Sequence, residues 1–193
     1  MELRDVYGPA IERARKKSLR RLDGHCRRFI ELSPFVCMGT VGSGGADVTP
    51  RGDQPGFVRV VDETTLAMPD WPGNNRLDSL ENLREDARVG LLFLIPGFEE
   101  TLRVNGRAEI SFAEELLGLW EKRPKSALVI RVEEAFLHCG KAMIRSRLWD
   151  PAARVERSAL PSYGQMLKDQ IEIADTASEI EASVAEGYRN RLY

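Results

Sequence analysis

Three consecutive residues, Asn74, Asn75 and Arg76, have the side chains of a phosphate-binding turn. They precede a run, 77–83, whose leucines recur at helical spacing, and asparagine is a favoured residue at a helix N-cap. A helix N-terminus presents backbone N–H groups to an anion, and an adjacent guanidinium adds charge-assisted hydrogen bonds. The turn therefore predicts a phosphate site. A capped helix with a solvated arginine would have the same sequence and remains the alternative.

Basic residues also occur on strand and turn patterns elsewhere in the chain, at Arg51, Arg103, Lys141 and Arg145. The segment 141–149 adds the hydroxyl of Ser146 and the indole of Trp149. A phosphate requires cations and a hydroxyl, and a flat ring system requires an aromatic or apolar wall. Each charge alone is explained equally well as a solvated surface residue of little energetic weight. Together with Arg76, the group indicates a ligand that combines a phosphate with a flat ring.

Other kinds of catalytic or metal site have little support. The chain has no G-x-S-x-G motif, and His25 and His138 fall in a predicted helix and at a strand end, which disfavours a nucleophilic hydrolase. His-Cys dipeptides occur at 25–26 and 138–139, but they are far apart and have no further ligand cluster, so no metal site is predicted. No side chain is singled out as a catalytic acid, base or nucleophile.

Composition and charge are those of a soluble globular protein. Apolar residues make up 42% and charged residues 30% of the 193 residues, and the net charge is −2. This balance predicts no general attraction to nucleic acid, and no apolar run is long enough to span a membrane. The N-terminus lacks the apolar core of a secretory signal, and the three cysteines show no C-x-x-C pair. We therefore expect a cytoplasmic protein.

The chain divides into a strand-rich centre between two helical ends. Residues 1–32 are predicted to be an N-terminal helical segment, with a basic helix over 9–32 that Asp23-Gly24 interrupts. Residues 33–150 are predicted to be one domain, and residues 151–193 a C-terminal helical extension. Strands are predicted at 35–41, 46–50, 57–62, 65–70, 89–95, 102–110 and 127–137. Because hairpin-linked strands dominate, an antiparallel barrel or sandwich is favoured over a doubly wound sheet.

Helix starts are predicted from capping-box spacing at three places: Ser111 with Glu114, Ser162 with Gln165, and Thr176 with Glu179. The last of these helices has an apolar stripe at Ile180, Val184 and Tyr188. Such a stripe packs either on its own domain or on a partner subunit, and both alternatives stay open.

Four long segments, in this order, carry a resemblance to a known family: DVTPRGDQPGFV, LAMPDWPGNNRLDSLENL, VGLLFLIPGFEETLRVNGRA and HCGKAMIRSRLW. Over about residues 33–150 the chain resembles the pyridoxamine 5′-phosphate oxidase-like, FMN-binding split-barrel family, and it is nearest to a bacterial branch of that family. The resemblance implies a mainly β fold with flanking helices, built as a six-stranded antiparallel split β-barrel. It also implies a homodimer with FMN in a cleft between the subunits.

The resemblance also implies which residues contact the flavin. Thr49, Pro50 and Arg51 would run along it, and Met68, Pro69 and Asp70 would line the isoalloxazine ring. Asn74, Asn75 and Arg76 stand where the oxidase has a Ser-Arg-Lys phosphate clamp. Thr101 and Arg103 would approach from the partner chain. Lys141, Arg145, Ser146 and Trp149 would close the cleft.

Two departures from the family pattern bear on the reaction. The clamp has one cation instead of two, so the phosphate would draw on Arg51, Lys141 or Arg145 as well. The C-terminal Arg-x-His substrate signature of the oxidase is missing. The resemblance therefore implies an FMN-dependent oxidoreductase acting with a small molecule or NAD(P)H, but not specifically on pyridoxamine phosphate. The alternative is a protein of the same fold that holds flavin, heme or another planar ligand without turnover.

Overall fold

A seven-stranded antiparallel sheet organises the computed structural model, which describes residues 2–193. The strand order is β2-β1-β5-β6-β7-β4-β3. The strands are β1 Phe35–Gly42, β2 Gly45–Gly52, β3 Arg59–Val60, β4 Thr65–Asp70, β5 Arg88–Leu94, β6 Thr101–Ser111 and β7 Ser126–His138. Every neighbouring pair runs antiparallel, as the hairpin-linked sequence pattern predicts.

Alternating burial along the strands defines the core face of the sheet. In β1 and β5, every second side chain is buried, and Val36, Met38, Leu91 and Phe93 are at most 1% exposed. Period-2 burial is what a sheet with one face on the core requires. Cys26, Phe29 and Ile30 from helix Gly24–Leu32, with Leu83 from helix Asp78–Glu85, complete this core, so these two helices pack on that face of the sheet.

The fold class predicted from the sequence is confirmed, with a correction to the strand count. The sheet has seven strands instead of six and is not closed, because β2 and β3 each pair on one side only. The predicted strand 57–62 shrinks to Arg59–Val60. Phe57 and Val58 are 4% and 2% exposed and pack in the hydrophobic core. They precede β3 instead of forming its first residues.

The N-terminal helix predicted over 9–32 is wrong as a single element. The structure has α1 Leu3–Tyr7, α2 Glu12–Lys16 and α3 Gly24–Leu32, with an extended stretch between α2 and α3. Leu19 in that stretch exchanges two backbone hydrogen bonds with Ala135 of β7, at 2.9 and 2.8 Å. The predicted interruption is confirmed, since Asp23 caps α3 by accepting from the backbone N–H of Cys26 at 2.8 Å.

The remaining helices are α4 Asp78–Glu85, α5 Glu114–Leu117, α6 Lys141–Ser146, α7 Tyr163–Gln170 and α8 Ala177–Asn190, with two 3₁₀ turns at Pro151–Ala153 and Arg157–Ala159. The predicted capping box of Thr176 and Glu179 is confirmed, and Ser162 caps α7 by accepting from the N–H of Gln165. The box predicted at Ser111 is wrong, because α5 begins after Ala113. No helix within residues 2–193 is long and apolar enough to cross a membrane.

Candidate functional site

A cleft of about 310 Å³ lies between the edge strand β2, the end of β4 and the start of α4; we call it the Arg51 cleft. Its lining includes Asp47, Thr49, Pro50, Arg51, Asp70, Trp71, Asn74, Asn75, Arg76, Leu77, Asp78, Ser79 and Lys125. Seven residues that the sequence predicts as ligand-binding therefore meet here: Thr49, Pro50, Arg51, Asp70, Asn74, Asn75 and Arg76.

Arg51 joins two strands that are far apart in the sheet order. Its Nη1 atom lies 2.8 Å from Oδ1 of Asp70, and the two side chains are 24% and 16% exposed. This shielded ion pair links β2 to the end of β4. The Nε atom of Arg51 is buried and has no hydrogen-bond partner within residues 2–193. Arg51 is thus held in place by Asp70, and its buried Nε–H is a donor that no group within residues 2–193 satisfies.

The turn before α4 differs from its prediction. Asn74 does not cap the helix; its Oδ1 accepts from the backbone N–H of Arg76 at 3.1 Å, which closes an Asx turn. The N-cap is Leu77, in the left-handed region with φ 61°, and Asn75 also has a positive φ of 59°. No side chain within residues 2–193 caps α4. The N–H of Leu80 donates to the carbonyl of Leu77 at 2.8 Å, so the N–H groups of Asp78 and Ser79 are the first-turn donors left for an anion, beside the carboxylates of Asp78 and Glu81.

The charges of the cleft are nearly balanced. Three carboxylates, on Asp47, Asp70 and Asp78, face three cations, on Arg51, Arg76 and Lys125. Arg76 is 73% exposed and its guanidinium lies 2.8 Å from Asp78, so this cation is already paired. Lys125 has no ion-pair partner within residues 2–193. Arg76 is therefore already charge-compensated by Asp78, whereas the ammonium group of Lys125 is available to pair with an incoming phosphate.

Two other predicted residues of this region lie away from the cleft wall. Met68 is 1% exposed and packs in the main hydrophobic core, so its side chain does not line the cleft. Pro69 lines an adjoining cavity. In β4, five consecutive residues are buried, because β4 is covered on both faces.

The second group of predicted residues does not line the Arg51 cleft. Thr101 and Arg103 begin β6, and Thr101 pairs with His138 at the end of β7. Asp70 pairs with Ser126 at the opposite end of β7. Lys141, Arg145, Ser146 and Trp149 follow directly after His138, in and after α6. A single chain therefore presents two separate groups of predicted residues.

Arg103 is the centre of a small cationic cluster. Its guanidinium lies 4.2 Å from the ring centroid of Phe136 and its Nη2 is 3.4 Å from Glu134. Lys17 lies over the same ring at 4.9 Å. Burial, followed by the charges of Arg103 and Lys17, lowers the pKa of His138 below its usual value. The neutral form of His138 is therefore favoured at pH 7. Separately, Nε of Arg103 is buried and has no hydrogen-bond partner within residues 2–193, as is also the case for Nε of Arg51.

The segment after β7 uses part of its polar groups internally. The indole N–H of Trp149 donates to the backbone oxygen of Phe98 at 2.7 Å, which ties this segment to the β5–β6 turn. The hydroxyl of Ser146 donates to the carbonyl of Met143 at 3.1 Å. Lys141 and Arg145 are exposed. The two cations are thus free for a ligand or partner, whereas the Ser146 hydroxyl already has an acceptor.

Cys139, beside this segment, should be the most reactive of the three thiols. A hydrogen bond from the backbone N–H of Lys141, aided by the charges of Lys141 and Lys17, lowers the pKa of this exposed thiol. Burial raises the pKa of Cys26 to about 11. A lowered pKa leaves more thiolate at neutral pH, so iodoacetamide should alkylate Cys139 well before Cys26. Peptide mass spectrometry over a time course measures this order.

Lys141→Ala supplies the control for that experiment, because it removes the ammonium group but keeps the backbone N–H. We expect the alkylation rate of Cys139 to fall only in part. A rate for Cys139 no faster than that for buried Cys26 would contradict the polarised environment.

Sequence reasoning missed Trp71 and Lys125 as site residues. Trp71 follows Asp70 directly, and its buried indole N–H has no partner within residues 2–193. Lys125 reaches the cleft because the next residue, Ser126, pairs with Asp70. Nothing in the local sequence of Lys125 indicates this, since the neighbourhood arises from the pairing of β4 with β7.

Comparison with solved structures finds the same fold. A putative pyridoxamine 5′-phosphate oxidase from Lactobacillus delbrueckii matches with a TM-score of 0.50 and 21% identity, over 61% of this chain and 95% of that chain. HupZ of Group A Streptococcus matches with a TM-score of 0.48 and 17% identity, over 60% and 92%. An FMN-binding protein from Syntrophomonas wolfei matches with a TM-score of 0.43 and 13% identity, over 57% and 86%. No curated protein matches the chain.

A sequence profile gives the assignment at the level of family. The profile described as pyridoxamine 5′-phosphate oxidase matches residues 22–139, which span β1 to β7 and both faces of the Arg51 cleft. The match begins at the buried Leu22 and ends just after β7, so it takes in the whole sheet. Since it covers more than half of the sequence, the chain belongs to the pyridoxamine 5′-phosphate oxidase-like family.

Proposed function

We propose that this protein is an FMN-binding oxidoreductase and that the flavin phosphate lies in the Arg51 cleft. The observation that carries the proposal is the meeting of two anion-seeking features in that cleft. One is the buried, unpartnered Nε of Arg51, and the other is the uncapped N-terminus of α4. That the ligand is FMN is inferred from the membership of this chain in the pyridoxamine 5′-phosphate oxidase-like family.

Bound FMN would supply the electron-transfer chemistry. The chain would bind and orient it. Arg51, fixed by Asp70, would donate to a phosphate oxygen, and the N–H groups of Asp78 and Ser79 at the start of α4 would donate to the others. Lys125 would add a cation at the rim. Arg76 would contribute less, because Nε and Nη2 of its guanidinium are already engaged by Asp78.

The second group of residues supports a shared site. Thr101, Arg103, Lys141, Arg145 and Trp149 do not line this chain's Arg51 cleft, and Arg103 keeps a buried donor unpartnered. We infer that in a homodimer they approach the flavin held by the other copy. The reductant or substrate would be NAD(P)H or a small organic molecule. The three unbridged cysteines fit a reducing, cytoplasmic setting.

Titrating FMN-free protein with FMN, in a calorimeter and by visible absorbance, tests cofactor binding. The anaerobic addition of NADH or NADPH to the FMN-loaded protein then tests turnover, since reduction bleaches the flavin band. A protein that binds FMN and is never reduced would be a carrier instead of an enzyme. A protein that binds heme with a Soret band and no FMN would overturn the proposal.

The shared site predicts a link between flavin and assembly. If FMN contacts both copies, its binding must favour the dimer by mass action. Sedimentation velocity of the FMN-free and FMN-loaded protein, at the same micromolar concentrations, should show a lower dimer dissociation constant with FMN. Arg145→Ala should weaken this shift, whereas Lys168→Ala, on α7 and outside both groups, should not. A loaded protein that remains monomeric is incompatible with a shared cleft.

A further inference from the structure

The C-terminal extension, residues 151–193, is a helical hairpin that follows an exposed linker. Every residue from 151 to 161 is exposed, and the two 3₁₀ turns of this linker are held by local hydrogen bonds. In the hairpin, α7 and α8 pack against each other. The hydroxyl of Ser162 donates to Glu181, and a Cβ atom at Gly164 would lie 2.4 Å from the carbonyl oxygen of Ala177. The hairpin therefore holds together by its own contacts.

The side chain of Tyr193 fastens this extension to the rest of the chain. Its hydroxyl donates to Oδ1 of Asp53 at 2.5 Å, and its ring meets that of Trp71 edge-on, with centroids 5.4 Å apart. The ammonium group of Lys122 lies 4.7 Å from the ring centroid. Within residues 2–193, the other hydrogen bonds and ion pairs of the extension are made inside 150–193. In this described part of the chain, Tyr193 is thus the polar anchor of the hairpin.

The anchor lies beside the Arg51 cleft. Leu192 and Tyr193 form part of the wall of an adjoining cavity of about 400 Å³. Arg51 and Trp71 line both this cavity and the cleft. If Leu192 and Tyr193 moved away, the cavity would lose that wall, and the cleft would become more open on the same side.

The contacts of Tyr193 are few enough to be reversible. A hydrogen bond to a carboxylate and one edge-on aromatic contact favour the closed arrangement by a factor on the order of ten to a hundred. An equilibrium of that size leaves about 1–10% of the molecules open. The hydrogen bond to Asp53 also raises the pKa of Tyr193, so the phenol keeps its proton at neutral pH and remains a donor.

We propose that residues 151–193 form a hinged lid beside the Arg51 cleft and that Tyr193 is its latch. With the latch closed, Leu192 and Tyr193 wall in one side of the cleft. With the latch released, the hairpin moves as one body about the linker 151–161, and the cleft opens for ligand exchange. The opening of the latch stands on the contacts above, whereas the gating of FMN rests on the proposed function.

Nitrogen relaxation dispersion of the ¹⁵N-labelled, FMN-free protein tests the latch, because it detects exchange on the microsecond to millisecond timescale of lid motions. Each tryptophan gives one indole resonance, and Trp71→Phe identifies that of Trp71. Opening removes the Tyr193 ring from Trp71, so this resonance should show exchange. The backbone amides of the linker 151–161 should show the same exchange rate. The indole of Trp149 donates to the carbonyl of Phe98 and lines neither space, so it should show none.

Variants of the latch should change the open population in a fixed order. Tyr193→Phe keeps the ring but loses the hydrogen bond to Asp53, and it should lower the ratio of closed to open molecules about tenfold. Tyr193→Ala loses both contacts, so Trp71 should give one displaced resonance without exchange. Tyr188→Phe is the matched control, since Tyr188 is 68% exposed on α8 and lines neither space. It should behave as the wild type does.

Stopped-flow measurement of FMN binding tests the gating. When a ligand enters only the open form, the association rate is reduced by the fraction of molecules that are open. Tyr193→Ala should therefore raise both the association and the dissociation rate constants, by about tenfold or more. A Tyr193 side chain that served only as a static wall would affect dissociation alone. Tyr188→Ala should leave both rate constants unchanged.

Three results would overturn the lid: no exchange at Trp71 in either the wild type or Tyr193→Phe, exchange at Trp71 with a static linker, or a faster dissociation of FMN alone in Tyr193→Ala. The binding of FMN is read separately from the exchange. A protein that shows the exchange but binds no FMN keeps the lid and refutes the flavoprotein. One that binds FMN without exchange at Trp71 keeps the flavoprotein and refutes the lid.

Discussion

Replacing Arg51 with methionine is expected to weaken FMN binding about ten- to hundredfold. Arg51 is the cation of the cleft that is both shielded and fixed, and its Nε is a buried donor without a partner. Losing a hydrogen bond to a charged group costs about 1.5–3 kcal/mol, which corresponds to this range. Methionine keeps most of the aliphatic volume, so packing against β4 is retained. Calorimetric titration of the FMN-free variant measures the change.

Two further arginines make this experiment discriminating. Arg88→Met removes an exposed arginine that is paired with Asp86 outside the cleft, and it should leave FMN affinity unchanged. Arg76→Met should cost less than Arg51→Met, because Arg76 is 73% exposed and already bound to Asp78. If Arg76→Met costs more, the sequence-based phosphate clamp is the right description and the emphasis on Arg51 is wrong.

The stability of the Arg51→Met variant needs its own measurement, because the substitution leaves the half-buried carboxylate of Asp70 without its partner. We expect the variant to lose about 1–3 kcal/mol of unfolding free energy. Urea unfolding of FMN-free protein gives this value independently of the ligand. An affinity loss with an unchanged unfolding free energy would mean that Asp70 finds a new donor.

Gly106→Ala is expected to lower the free energy of unfolding by about 3 kcal/mol or more. A Cβ atom at position 106 would lie 2.0 Å from the carbonyl oxygen of Arg131 and 3.3 Å from Cα of Val132. Both are backbone atoms of β7 and cannot rotate away. Gly106 lies at a β-bulge in the β6–β7 pairing. Asn105 pairs with Glu134 and Gly106 pairs with Val132, so Glu133 of β7 is left without a partner in β6. Chemical denaturation of the purified variant measures the loss.

Gly39→Ala is the matched control within the same sheet. Its added Cβ would meet no atom closer than 3.8 Å, the carbonyl oxygen of Gly90, which is ordinary contact. This variant should unfold at nearly the wild-type denaturant concentration. Equal stability of Gly106→Ala and Gly39→Ala would show that the bulge can relax.

The bulge also bears on the proposed site. It sets Asn105 opposite Glu134, and the side-chain amide of Asn105 donates to Oε2 of Glu134 at 2.9 Å. Glu134 in turn pairs with Arg103. Hydrogen bonds from Ser18 and Asn105, with the charge of Arg103, lower the pKa of Glu134, so its carboxylate stays charged below the usual range. A shifted ladder would therefore misplace Arg103 as well as destabilise the sheet.

The sequence alone was enough to predict the antiparallel sheet and the family. Six of the seven strands occur where runs of apolar residues bounded by turn residues predict them, because such runs favour a strand buried on one or both faces. Capping at Ser162 and Thr176 was likewise predictable, since a cap involves residues three positions apart. The phosphate-turn residues were found from local composition, and they do line one cleft.

The tertiary structure alone decided how these elements meet. Arg51 and Asp70 are 19 residues apart, and they pair because the sheet brings the edge strand β2 to the end of β4. Lys125 joins the cleft through the pairing of Ser126 with Asp70, and Tyr193 reaches Trp71 across 122 positions of sequence. The backbone of Leu77, in the left-handed region, displaces the expected asparagine cap. Such contacts depend on strand order and curvature, which no local pattern of residues encodes.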